Sequence, residues 1–200
     1  GNGNTYTDNQ GIVYELNDDG QTVTLTNGRS ATGAITIPDA IEKDGTSYPV
    51  TSVGGKAFVN CWQLVSVTFS GSVDSIGDTA FYNCRHLNTV TFSGKVGSIG
   101  TDAFGFCTEL ESVTFSGDVT SIGDYAFQYC TKLTTIYVPA SMTKETVQII
   151  RDALTGSELQ NVQIVQPEQP SDPDPDTPPV PSTGTPSTPS TGTTSTGSAV

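Results

Sequence analysis

The sequence predicts a repeat solenoid, β-rich with a parallel sheet of about six rungs on one side and short helical turns on the other, closed by a hairpin cap in front and a helix cap behind. Three observations carry this. The four cysteines, Cys61, Cys84, Cys107 and Cys130, recur every 23 residues. The hydrophobic period changes within each unit, from helical to strand-like. The flanking segments depart from the pattern, as the ends of a stack must, because uncapped coils expose apolar layers and unpaired strand edges.

The 23-residue spacing also relates Phe58, Phe81, Phe104 and Phe127; Ala57, Ala80, Ala103 and Ala126; Leu64, Leu87, Leu110 and Leu133; and Val53, Ile76, Ile99 and Ile122. Within a coil, Ala57, Phe58, Cys61 and Leu64 are spaced as one side of a helical turn, with Asp78 and Asp124 placed to cap such turns. Val67 and Phe69 then alternate with Ser66 and Thr68, the period of a strand with one buried face. Ser70-Gly71 reads as a corner where glycine takes positive φ, and Val73 to Ile76 as a second short inward stretch.

The strand pattern recurs before the repeats in Ile35-Thr36-Ile37 and after them in Leu159, Val162 and Ile164, which gives six rungs. In front, Ile12 to Leu16 and Thr22 to Thr26 flank Asn17-Asp18-Asp19-Gly20, a hairpin signature. Behind, Thr143 to Leu154 is an amphipathic helix with Val147, Ile150 and Leu154 on one face, ended by Gly156. The expected organisation is therefore 1–52 as N-terminal β cap and first irregular coil, 53–142 as four repeats, 143–166 as capping helix and last strand, and 167–200 as a disordered spacer. Nine of the 12 prolines fall between Pro167 and Pro189, where no core can form.

Charge narrows the function. Eight Lys and Arg against 21 Asp and Glu give a formal charge of −13, which repels phosphate backbones and so excludes nucleic acid as a partner. No window approaches the roughly 18 apolar residues of a membrane span, and no basic, apolar signal region opens the chain. Both ends, at Gly1 and at Ser198-Ala199-Val200, read as cut, so the expectation is that export and anchoring segments lie elsewhere.

The run A-F-x-x-C-x-x-L-x-x-V with I-G upstream, as in Ile76-Gly77 through Val90, resembles the BspA-like leucine-rich repeat family, and Ile35-Thr36-Ile37-Pro38 and Tyr48-Pro49-Val50 resemble its first coil. Members usually carry Ile-Pro or Leu-Pro after the strand; here Phe-Ser-Gly stands in three coils and Val138-Pro139 in the fourth. The resemblance implies a secreted protein at the bacterial cell surface, engaged in adhesion or protein binding to host or neighbouring-cell surfaces.

The chemistry of the chain points the same way. Four cysteines in an exported protein suggest disulfides. Equivalent positions, however, put all four thiols on one inward ladder without the torsion a bridge needs, so free, buried thiols are expected. The outer two are too far apart to share a zinc ion. The single histidine, His86, is equivalent to Gln63, Glu109 and Lys132 and so faces water, which leaves no hydrolase triad and no catalytic zinc site. Paired carboxylates for glycoside hydrolysis remain formally open, but the acids sit mostly in turns. A calcium loop at Asn17 to Gly20 lacks its closing Glu. No catalytic residue, metal or cofactor is assigned.

Two surfaces are candidates for binding. One is the outer sheet face, a ladder of Ser66, Thr68, Thr89, Thr91, Ser112, Thr114, Thr135 and Tyr137. The other is the turn side, where Trp62, Tyr82, Phe106, Tyr125 and Tyr129 occupy variable positions. The expected function is a non-catalytic extracellular interaction module with a protein partner; the alternatives are a carbohydrate-binding accessory domain using the aromatics, and a structural spacer.

Overall fold

The structure, a computed structural model, describes residues 3–169 together with Gly192 and Gly197. The chain divides into two units, Gly1–Gln169 and Pro170–Val200. Apart from those two glycines, the expected spacer from Pro170 onward lies outside the described residues.

The front begins with antiparallel strands β1 (Thr5–Thr7), β2 (Val13–Leu16) and β3 (Val23–Asn27), with the hairpin turn at Asn17 to Gly20. β4 (Gly33–Ile37) opens the first irregular coil, and β5 (Ala40–Lys43) and β6 (Thr46–Val53) form a second hairpin. Its turn is Asp44-Gly45, with φ of 51° and 77°, positive at both positions as a type I′ turn requires. Three coils follow, each with two strands: β7 (Leu64–Phe69) and β8 (Val73–Ile76), β9 (Thr89–Phe92) and β10 (Val96–Ile99), β11 (Ser112–Phe115) and β12 (Val119–Ile122). The back is β13 (Thr135–Tyr137), α1 (Lys144–Asp152), a 3-10 turn at Ser157–Leu159 and β14 (Gln163–Val165).

The expected six rungs are β4, β7, β9, β11, β13 and β14, all parallel. Ile35, Val67, Val90, Val113, Ile136 and Ile164 face one another in turn, so successive rungs stand 32, 23, 23, 23 and 28 residues apart. The long first coil holds the β5–β6 hairpin and the long last one holds α1. Within that helix Thr143 Oγ1 accepts from the Thr146 N–H at 3.2 Å, Ile150 is buried, and Val147 and Leu154 pack against the core.

Three expectations need correction. First, the second short stretch is a full second sheet, running β1, β2, β3, β6, β8, β10, β12, because Val73 and Ile76 face the core while Asp74 and Ser75 face out. Second, the Ala-Phe-x-x-Cys segments are successive tight turns, not helical turns. Lys56, Asn60, Thr79, Asn83, Asp102, Phe106, Tyr125 and Tyr129 all take φ between 52° and 60°, which no right-handed helix admits. Alternate N–H groups therefore point at the next coil: Phe58 donates to Ala80 O at 2.7 Å, Phe81 to Ala103 O at 2.7 Å and Phe104 to Ala126 O at 2.8 Å. Asp78 accordingly caps no helix; its Oδ1 accepts from the Thr101 N–H of the next coil at 2.8 Å. Third, the glycines of the repeat are needed for closeness rather than for positive φ. A Cβ on Gly71 would stand 2.6 Å from the Asp39 Cβ, and one on Gly100 would stand 2.6 Å from Asp78 N.

The core is layered by the repeat. Phe58, Phe81, Phe104 and Phe127 stack with centroids 4.6, 5.0 and 5.6 Å apart, and Phe69, Phe92 and Phe115 with centroids 4.8 and 5.3 Å apart. The two stacks meet edge to face at Phe69–Phe81 and Phe92–Phe104. Such pairs add roughly 0.5–1.5 kcal/mol each beyond burial, and the inter-strand spacing of about 4.8 Å makes them the natural contact between coils.

Candidate functional site

The strand period places the hydroxyl ladder on one face. Ser66, Thr89, Ser112 and Thr135 form one column in register, and Thr68, Thr91, Thr114 and Tyr137 a second. Ala34 and Thr36 extend the columns in front, Gln163 and Val165 behind. From Ser66 to Thr135 the predicted side chains are half-buried, and Tyr137 is exposed. The two columns carry no charge from Ala34 to Val165, and each hydroxyl offers one donor and two acceptor positions to an extended partner. Beside them lies a third column, Val65, Asn88, Glu111 and Thr134, linked by backbone hydrogen bonds of 2.7–3.0 Å. Sequence reasoning missed it. The signal was its variation from coil to coil beside the constant inward positions.

On the turn side, the predicted aromatics divide. Tyr82, Phe106 and Tyr129 make a ring ladder, with centroids 5.3 Å apart at 62° and then 4.6 Å apart at 34°. Trp62 stands apart from it, under the Arg85 guanidinium at 4.2 Å, a cation–π contact. Tyr125 is 57% exposed and, among the described residues, has no ring contact with the others. Phe106, Tyr125 and Tyr129 hold φ of 57–59°, a region uncommon for bulky residues. The earlier coils place Asn60 and Asn83 at the Phe106 and Tyr129 position, and Asn83 Nδ2 donates to Asn60 Oδ1 at 2.7 Å. Asparagine tolerates that backbone; the aromatics occupy it at a cost.

Each coil thus combines two parallel strand ladders, a turn ladder and an inward Phe-Cys-Leu layer. The family model described as the BspA type leucine rich repeat region, with 6 copies, matches residues 36–166. The chain belongs to this family. Among curated proteins, none matches the sequence. Of solved structures, a leucine-rich repeat protein from Bacteroides capillosus is 32% identical, with a TM-score of 0.58 over 68% of this chain and 98% of its own. A leucine rich cell surface protein from Faecalibacterium prausnitzii is 29% identical, with a TM-score of 0.57 over 82% of this chain. This chain spans 42% of that protein's length.

In this BspA-type stack the cysteines lie where the spacing puts them, free and buried. They are more than small apolar fillers. The Sγ atoms of Cys84, Cys107 and Cys130 donate to the carbonyls of Phe58, Phe81 and Phe104 at 3.1, 3.2 and 3.1 Å, tying each coil to the one before. Burial pushes the Cys61 thiol up to about 11 and the Cys107 thiol well above the ordinary value, which keeps both protonated and unreactive. His86 is exposed, with Nδ1 2.8 Å from Trp62 O. In its column Lys132 donates to Glu109 Oε2 at 2.7 Å, which raises the lysine's pKa.

The Asn17 to Gly20 turn is closed by its own side chains. Asp19 accepts from the Gln21 and Thr22 N–H groups and the Thr22 hydroxyl, which lowers its pKa. Among the described residues no three metal-ligating side chains converge, and no helix is long and apolar enough to cross a membrane.

Proposed function

We propose that the chain is a non-catalytic, exported interaction module that binds a protein at the bacterial surface through its six-stranded face. The observation that supports this most is the pair of hydroxyl columns, uncharged and in register along the four rungs β7, β9, β11 and β13, beside a column that varies from coil to coil. The inward positions are committed to stacking, so specificity is left to the outer ones. The cell surface description of the Faecalibacterium relative supports the location. With a formal charge of −13, a basic or neutral partner is favoured, and attraction to a basic one weakens as salt screens it.

The test is binding to immobilised basic extracellular-matrix proteins at low and physiological salt, with Thr91→Arg and Thr114→Arg placed together on the columns. Loss of binding in that double variant, with an unchanged melting curve, is the expected result. Equal binding by parent and variant rejects the sheet face. A second reading, recognition of neutral glycans by the turn side, is favoured by the aromatics held at positive φ; it predicts glycan-array binding that is indifferent to salt and disappears in Trp62→Ala and Tyr125→Ala.

A further inference from the structure

Each repeat hands backbone groups forward to the coil that follows. The Val73 and Val96 N–H groups donate to Lys95 O and Asp118 O, both at 2.9 Å, and Ile76 O and Ile99 O accept from Gly100 N–H and Gly123 N–H at 2.8 and 2.7 Å. β12 is the last strand of its sheet. The matching groups, Val119 N–H and Ile122 O, therefore meet no following strand among the described residues. The next turn repeats the pattern. Thr79 and Asp102 donate to Thr101 O and Asp124 O, and Phe81 and Phe104 to Ala103 O and Ala126 O, whereas the N–H groups of Tyr125 and Phe127 have no such acceptor among the described residues.

Helix α1 stands where the next strand would be, and it does not fill the space. A cleft of about 510 Å³ remains, with residues 120–125 on the strand side and Ile149, Asp152, Ala153 and Thr155 on the helix side. This lies in the usual range of ligand pockets, roughly 300–1,000 Å³. Ile122 registers the gap: its equivalents Ile76 and Ile99 are each 1% exposed, while Ile122 is only partly buried. The charge is one-sided, since Asp124 and Asp152 line the cleft and no Lys or Arg does.

We propose that the β12 edge and the cleft beside it form a docking site for an extended segment of a partner protein carrying Lys or Arg, added to the sheet as a further strand. An unpaired edge offers donors and acceptors to any extended chain, and in strand addition the main chain supplies affinity while alternate side chains supply specificity. Apolar side chains of the segment lie toward Ile122 and Ile149. Its basic side chains reach Asp124 and Asp152, with the exposed Tyr125 ring beside them as a cation–π partner. A second copy of this chain fits worse, because it brings the same acidic edge and the same net charge of −13. This site is separate from the six-stranded face and stands whether or not that face binds.

The probe is a blocked, fluorescein-labelled peptide alternating valine with lysine, titrated into the full chain and read by anisotropy, with exchange of the backbone amides that line the cleft, residues 120–125, followed in parallel. Expected are saturable binding, slower exchange at those amides, and weakening by about tenfold or more when alternate peptide nitrogens are methylated or when Asp124→Asn and Asp152→Asn are combined. The Asn variant's melting curve checks that it is folded. Binding that ignores backbone methylation, unchanged exchange at all of those cleft amides, or equal affinity for a glutamate-for-lysine peptide would each overturn the proposal. So would sedimentation showing that the edge is occupied by a second copy.

Discussion

Glu158 accepts the Tyr129 N–H at 3.0 Å through Oε1. In the earlier coils the equivalent donors, Asn60, Asn83 and Phe106, find backbone carbonyls of the next coil, Tyr82 O, Gly105 O and Gln128 O, at 2.9, 2.8 and 2.7 Å. The stack thus ends by replacing a missing coil's carbonyl with a carboxylate from the segment that follows α1.

This cap sets a pH dependence. The Tyr129 N–H, and then its own backbone N–H, hold the Glu158 carboxyl below the usual glutamate range. A lowered folded value means the contribution is present above the ordinary glutamate pKa and fades as pH falls through the lowered one. Because the side chain is half-buried and still screened by solvent, Glu158→Ala is expected to cost only about 0.5–1 kcal/mol at pH 7. Urea midpoints at pH 7 and near pH 3 check this; a gap between parent and variant that persists in acid contradicts it.

Asp102 carries the opposite sign. Its Oδ1 is buried without a hydrogen bond, its φ is 52°, and burial followed by the nearby Asp78 pushes its carboxyl above the usual range. A raised acid penalises the fold above its folded pKa, and the penalty disappears as pH falls to the ordinary value. Asp102→Asn, which removes the charge and suits positive φ, is expected to stabilise by on the order of 1 kcal/mol at pH 7 and by less in acid. A variant that melts below the parent at neutral pH contradicts this.

The rungs were legible because a strict 23-residue period fixes which residues face inward, whatever the local backbone does. The turns were not, because Ala57, Phe58, Cys61 and Leu64 face inward equally well from a helical turn and from successive tight turns. Asn60 and Asn83 hinted at positive φ; Thr79, Phe106 and Tyr125 concealed it. The Asp44-Gly45 hairpin is written locally, yet it interrupts the period that organises the rest. The hydroxyl columns followed from alternation, whereas the Tyr82–Phe106 contact did not, since those residues are 24 apart and not equivalent. Glu158 was out of reach, lying 29 residues from its donor.

Close approach of the coils makes the glycines testable. A Cβ on Gly100 would stand 2.6 Å from Asp78 N and 2.8 Å from Gly77 C, both backbone atoms that cannot swing aside. Gly100→Ala is expected to cost about 2–4 kcal/mol, the upper part of the range of roughly 1–3 kcal/mol usual for overpacking and somewhat beyond it. Gly20→Ala, which meets nothing within 4 Å and carries only the strain of φ 68°, should cost less. Matching losses in chemical denaturation would mean that backbone conformation, not coil spacing, is what these glycines supply.

The core layer makes a paired prediction. Phe104 lies between Phe81 and Phe127 with no exposure, so Phe104→Ala is expected to cost about 3–5 kcal/mol. The thiols of the same layer should resist alkylation in the native state and take four additions after denaturation, because all four are buried and free. Mass spectrometry before and after denaturation reads this directly, and native modification of Cys107 or disulfide-linked fragments would contradict it.

Tyr125 separates stability from binding. It is 57% exposed and holds φ of 59°, so its side chain gains little from the fold while its backbone sits in a region that disfavours it by roughly 1–2 kcal/mol. Lys56, Thr79 and Asp102 take the same conformation in the other coils, so the fold imposes it and the ring does not cause it. Tyr125→Asn should therefore raise the melting midpoint, by the equivalent of about 0.5–1 kcal/mol, because asparagine adopts that backbone more readily. The same substitution should weaken capture of the valine–lysine peptide, since the ring borders the β12 cleft. A variant that is both stabler and poorer at binding shows that the tyrosine is kept for recognition, at the expense of the fold. One that loses stability and binds as before would assign the ring a packing role instead, and would move the search for the partner to the hydroxyl columns.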